Sequence, residues 1–121
     1  MTDHAGLLAA VDRYFELMYD SDTSRFDRVF GPTAQLHGFF NGEMRMLTAA
    51  TYREALESQP SPKSQNAPRE QQILLVDFAT DDQALVKIRV RINKAVYVDY
   101  LTYHRIDGAW LVTAKGFHGG T

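Results

Sequence analysis

The segment 95–117, AVYVDYLTYHRIDGAWLVTAKGF, constrains the fold more than any other stretch of the chain. Two alternating runs rich in β-branched and aromatic residues flank Asp107-Gly108, and an Asp-Gly pair in that setting is the strongest short-range signal for a β-hairpin. The segment therefore reads as two long strands, 95–106 and 109–118, joined by a tight turn. It also holds Asp99, His104, Lys115 and the chain's only tryptophan, Trp110. Polar side chains inside otherwise apolar strands must find partners or meet a ligand.

Two more strands precede the hairpin, over 72–80 and 83–93, with turns at Asp81-Asp82 and Asn93-Lys94. In the second, Ala84, Val86, Ile88, Val90 and Ile92 alternate with Lys87, Arg89 and Arg91, so one face is core and the other is solvent or a charged interface. The basic stripe has no interleaved aromatic residues on which bases would stack.

The N-terminal half reads as helical. Leu7, Leu8, Val11, Tyr14, Phe15 and Met18 have the spacing of an amphipathic helix over 4–19, with Asp3 placed to cap it. A short second helix with Phe26, Val29 and Phe30 inward stops at Gly31-Pro32. A strand over 33–40 turns at Asn41-Gly42 into 43–47, and Thr48 opens a third helix with Tyr52, Ala55 and Leu56 on its apolar side. The segment 58–70 holds three of the four prolines and reads as a loop, either a plain connection or a lid. Helices first and an antiparallel meander last predict an α+β fold, one domain over 1–121, with a strongly curved sheet wrapping the helices.

Composition narrows the function. A net charge of −2 gives no reason to expect nucleic acid or an anionic membrane as partner. No apolar run approaches a membrane span, and MTDHAG lacks the marks of a signal peptide, so the cytoplasm is the expected compartment. Without cysteine there is no thiolate nucleophile or disulfide. The four histidines, His4, His37, His104 and His118, have no metal-ligand spacing, and no GxSxG elbow or phosphate loop occurs. Neither a metal nor a cofactor is expected.

Phe30-x-x-x-Ala34-x-Leu36, Tyr97-x-Asp99-Tyr100-Leu101 and Asp107-Gly108-x-Trp110-x-Val112-x-x-Lys115-x-Phe117 carry a resemblance to a known superfamily. With this order of elements, the chain resembles the nuclear transport factor 2-like (cystatin-like) cone fold, shared by ketosteroid isomerase, scytalone dehydratase and polyketide cyclases. Within it the chain is most similar to the putative lumazine-binding subgroup, which is mostly bacterial. The stretch from Arg13 to Leu36 also looks like the start of ketosteroid isomerase. On that comparison Tyr14 falls where the isomerase keeps its oxyanion-hole tyrosine, and Gly38, beside His37, falls where it keeps its general-base aspartate. The resemblance implies a pocket inside the cone without implying the same reaction.

The hairpin register decides which side chains face that pocket. A two-residue turn sets Tyr100 opposite Lys115, Thr102 opposite Thr113 and His104 opposite Leu111; a three-residue turn with a bulge sets Asp99 against Lys115. By analogy with the isomerase, the first register places Tyr100, Thr102, His104, Thr113, Lys115 and Phe117 on the concave face. Leu101, Trp110 and Val112 then form an apolar convex face that a partner subunit should cover.

The leading expectation is a binding protein for a small apolar or anionic organic molecule, a homodimer through its sheets. Tyr14, Gly38, Asp99, Tyr100, Thr102, His104, Thr113, Lys115 and Phe117 are its candidate ligand-binding residues. The alternative is a cofactor-free isomerase, dehydratase or cyclase. There Tyr14 and Lys115 would stabilise an oxyanion, and His37 or His104 would move the proton. A third reading is an association module with a filled cone. Lys115 and Asp99 also admit a plain structural role as a cross-strand ion pair.

Overall fold

The computed structural model describes residues 2–121. Helix α1 (His4–Asp20) starts where Asp3 accepts the Gly6 N–H at 3.0 Å, and it stops at Ser21, which turns left-handed at φ 52°. One face of α1 buries Leu7, Val11, Tyr14, Phe15 and Met18, as its spacing predicts, whereas Leu8, also expected on that face, is 42% exposed. A 3-10 turn (Thr23–Arg28) brings Phe26 onto Phe30, their rings stacked 4.9 Å apart.

Strand β1 (Phe30–Phe40) begins earlier than Gly31-Pro32 leads one to expect. Phe30 pairs with Val112 and the Val112 N–H donates to Val29 O, after which Pro32 sits in an irregular stretch before pairing resumes at Gln35. β2 (Glu43–Thr48) follows the Asn41-Gly42 turn, and Thr48 caps α2 (Ala49–Ser58) through the Thr51 N–H. β3 (Gln71–Thr80), β4 (Gln83–Ile92), β5 (Ala95–Ile106) and β6 (Ala109–Gly120) complete a curved, unclosed six-stranded sheet. Its order is β2-β1-β6-β5-β4-β3, antiparallel except where β1 lies parallel to β6.

The β5–β6 register corrects both expected alternatives. The turn is a two-residue one, with Asp107 and Gly108 both at positive φ, and pairs such as His104 with Leu111 and Tyr103 with Val112 follow from it. A β-bulge then intervenes: Thr102 pairs with Ala114, leaving Thr113 as the extra residue. Lys115 consequently faces Leu101, neither Tyr100 nor Asp99, and Phe117 faces Asp99.

This shift corrects the faces as well. Leu101, Tyr103, Trp110 and Val112 are buried in one core with α1 and with Val86 and Ile88 of β4, so they line the concave side. The apolar face expected to meet a partner subunit is covered by the chain's own helix, the nearest apolar surface available to it. Tyr100, Thr102, His104 and Thr113 lie on the opposite, outer face, where Tyr100 is 46% exposed beneath the Lys87 ammonium. Only Lys115 and Phe117 of that expected set reach the concave side, because the bulge switches their phase.

Candidate functional site

Burial first isolates two charges. Asp99 (0% exposed) and Lys115 (6%) are the buried charged residues of the described chain. Asp99 projects from the centre of β5 toward α1, where the Tyr14 hydroxyl donates to its Oδ2 at 2.5 Å. Lys115 Nζ approaches the same Oδ2 at 3.7 Å and donates to the Tyr52 hydroxyl at 3.3 Å. Tyr52 OH in turn donates to Met18 Sδ at 3.2 Å. The result is a chain of contacts, Tyr14–Asp99–Lys115–Tyr52, running from α1 through the sheet to α2.

Aromatic faces wrap the ammonium: Nζ lies 4.7 Å from the centre of the Tyr52 ring, 5.3 Å from Tyr14 and 5.8 Å from Phe117. Such contacts stabilise a desolvated cation by about 2 kcal/mol or more at best. Burial is the largest single influence on Lys115 and disfavours its charge. The Asp99 carboxylate and the Tyr52 hydroxyl together outweigh it, so the ammonium's pKa is raised above the ordinary 10.5. Tyr14 is pushed well above its ordinary 10.0, first by burial and then by the Asp99 charge, so its hydroxyl stays a donor. Asp99 Oδ1 and the Tyr103 hydroxyl are buried without a hydrogen-bond partner among the described residues.

Lys115 also forms part of the wall of a cavity of about 720 Å³. That volume lies well above the ~300 Å³ at which pockets for drug-sized molecules begin. The walls come from β1 and β2 (Leu36, Phe40, Met46), α2 (Tyr52, Leu56) and the β5–β6 strands (Tyr97, Phe117). The Pro-rich segment supplies part of the rim: Pro60, Pro62 and Gln65 border the cavity. Asn93, at the β4–β5 turn with φ 57°, accepts from Gln65 Nε2 at 3.0 Å and donates to Pro60 O at 3.3 Å. The segment thus forms a strap fastened across one side of the opening. A second cavity of about 640 Å³ lies among Arg69, Gln71, Gln72, Arg89 and Arg91, and contains none of this buried chemistry.

The expected site residues divide. Lys115 and Phe117 border the cavity, while Tyr14 and Asp99 stand behind Lys115 in the fully buried layer. Gly38 is buried on the concave side, and Phe117 fills the space beside it: a Cβ there would meet Phe117 O at 2.0 Å and its ring at 2.5 Å. The position where the isomerase keeps its base therefore has no room for a side chain without displacing Phe117. His37 is exposed on the outer face between Leu36 and Gly38. His104 is also on the outer face, its Nδ1 2.5 Å from Thr113 Oγ1, so neither histidine expected to move a proton lines the cavity. Tyr52 was not among the expected ligand contacts. Its signal was available, since a tyrosine on an apolar helix face needs a partner for its hydroxyl. Among the described residues there is no cluster of three or more metal-ligating side chains, and no helix is long and apolar enough to cross a membrane.

Comparison with known proteins places this geometry in context. The sequence model of the family described as "Putative lumazine-binding" matches residues 2–118. The aldolase FrzH of a Cladobotryum species is 26% identical over 119 residues, covering 97% of this chain and 91% of that protein. A nuclear transport factor 2-like protein of unknown function from Methylobacillus flagellatus superposes with a TM-score of 0.82 at 15% identity, over 97% of this chain and 91% of the other. A ketosteroid isomerase-like protein from Erwinia carotovora atroseptica gives 0.72 at 14%, over 95% and 94%. These structural likenesses establish the α+β cone.

Proposed function

We propose, for a chain that belongs to the putative lumazine-binding family, that the cone binds a small, mostly apolar organic molecule. Lys115 and Tyr52 would hold a carbonyl or anionic oxygen of that ligand. The observation that carries this reading is the buried Lys115 ammonium, ringed by aromatic faces and bordering a cavity of about 720 Å³. A buried ion pair is a poor way to stabilise a fold, because desolvating each ion costs several kcal/mol. A charge kept beside an apolar cavity is instead suited to meeting an oxygen that enters it. Asp99 and Tyr14 act behind it, the first as counter-charge and the second as the donor that fixes the carboxylate.

A second reading is a cofactor-free enzyme of the isomerase, dehydratase or cyclase kind, supported by the same donor array, since preorganised donors stabilise developing oxyanions. The relative named as an aldolase adds carbonyl chemistry to that list. An imine on Lys115 is disfavoured, because it needs a neutral amine and Asp99 favours the ammonium. Among the described residues no histidine borders the cavity to serve as base, so binding is the preferred reading.

Titrating the protein with 2-naphthol, followed by naphthol fluorescence, tests the proposal. Saturable one-to-one binding is expected, weakened about tenfold in Tyr52→Phe and more in the K115M/D99N pair, as expected for lost hydrogen bonds to a charged group. The paired variant is chosen because Lys115→Met alone strands a buried carboxylate. Absence of binding at millimolar naphthol, or equal binding by both variants, overturns the proposal.

A further inference from the structure

We propose that the ligand of this cavity is an amphipathic organic acid, with its oxygen pole at Lys115 and a second, acidic group at the mouth, which Arg45 and Lys94 border. The inference rests on the binding reading above and specifies the chemical class. Among the described residues three basic side chains, Arg45, Lys94 and Lys115, border the cavity and no Asp or Glu side chain does. The chain as a whole has 15 acidic and 13 basic side chains, so a lining without Asp or Glu departs from its average surface. The remaining wall is mostly aliphatic and aromatic, and repels an ion that lacks an apolar body.

The basic groups sit at two depths. Lys115 lies at the buried end, 6% exposed, whereas Arg45 and Lys94 are both exposed. Each outer group is held at the rim by local structure. Arg45 lies on β2 with its guanidinium 5.7 Å from the centre of the Phe40 ring. Glu43 approaches Arg45 only to 3.8 Å, is itself largely exposed and does not border the cavity. Lys94 follows Asn93 in the turn fastened to Gln65 and Pro60, and it has no carboxylate within ion-pair distance among the described residues. A neutral apolar ligand leaves Lys94 without a counter-charge and Arg45 with only the loose, exposed Glu43 contact. A ligand whose far end is a carboxylate meets them where it leaves the cavity, and the apolar walls take its body. Positive potential at the opening also draws such an anion in.

Three probes of one shape separate the possibilities: 6-hydroxy-2-naphthoate, its methyl ester, and 2-naphthol, each titrated by fluorescence against the full chain at low and high salt. The acid is expected to bind about tenfold more tightly than the ester at low salt, an advantage that shrinks as salt screens the exposed rim. In the Arg45→Gln/Lys94→Gln variant, whose changes are on the surface, the advantage is expected to vanish while ester and naphthol affinities stay put. Equal binding of acid and ester overturns the acidic pole and leaves the pocket standing. A preference that survives in the double variant also overturns it, because the carboxylate then sits elsewhere. Failure of all three probes to bind removes both the pocket and its acidic pole.

Discussion

Lys115 carries its charge where water is nearly absent, and the cost decides how its neighbours must behave. At 3.7 Å from Asp99 Oδ2, attraction at an effective dielectric near 20 comes to about 4 kcal/mol. Desolvating the two ions costs several kcal/mol each, so the pair adds little to net stability. Breaking it is another matter. Lys115→Met alone is expected to cost about 3–5 kcal/mol in urea unfolding, because Asp99 stays buried with only Tyr14 as partner. The K115M/D99N pair is expected to cost clearly less than the sum of its single changes. Additive losses would show that the two charges are not coupled. Tyr14→Phe, which removes one donor from the carboxylate, is expected to cost about 1.5–3 kcal/mol in the same assay. These residues were legible as types, since Asp and Lys in apolar strands stand out. Tyr52 is legible as a tyrosine on an apolar helix face that needs a partner, but which partner shows only once α2 and β6 meet.

At the scale of elements, the hairpin shows where sequence reading succeeds and where it stops. Asp107-Gly108 announces its own conformation, since both residues sit at positive φ as a two-residue turn demands. Thr113 announces nothing: Thr and Ala between Val112 and Lys115 are ordinary strand residues, and a bulge is fixed by the neighbouring strand. The irregular stretch of β1 between Phe30 and Gln35 lies beside it, with Gly31 3.6 Å from Val112 O for any added Cβ, so the two irregularities bend the sheet together. The apolarity of Leu101, Trp110 and Val112 was legible; that their cover is α1 was not, because one face cannot be assigned before the register is known. The strap at 59–65 yields its own prediction. Asn93→Ala removes both bonds to Gln65 and Pro60, so amide exchange over residues 59–67 should accelerate by about tenfold with little change in global stability. Unchanged protection there would mean that packing of the buried Pro62, rather than Asn93, holds the strap.

For the whole molecule, the same buried groups set its response to alkali. Lys115 and Tyr14 have folded pKa values above their ordinary 10.5 and 10.0, and Tyr97 and Tyr103 are raised chiefly by burial. A group whose folded pKa is raised holds its proton more tightly in the native state. Its stabilising contribution is then complete below the unfolded value and is lost as pH climbs toward the folded one. All four groups act in this direction, and none opposes the others. Stability should therefore begin to fall from about pH 10, the unfolded tyrosine value, and continue falling through the range where Lys115 deprotonates. Tyrosine ionisation followed in the ultraviolet supplies the readout. The signal of the buried hydroxyls should arrive only together with loss of the circular dichroism of the sheet. In the K115M/D99N pair the lysine's share disappears and the carboxylate that helps raise Tyr14 is gone, so the alkaline fall should become shallower. An unchanged slope in that variant would mean that burial of the tyrosines alone, and not the Tyr14–Asp99–Lys115 chain, governs how the molecule meets high pH.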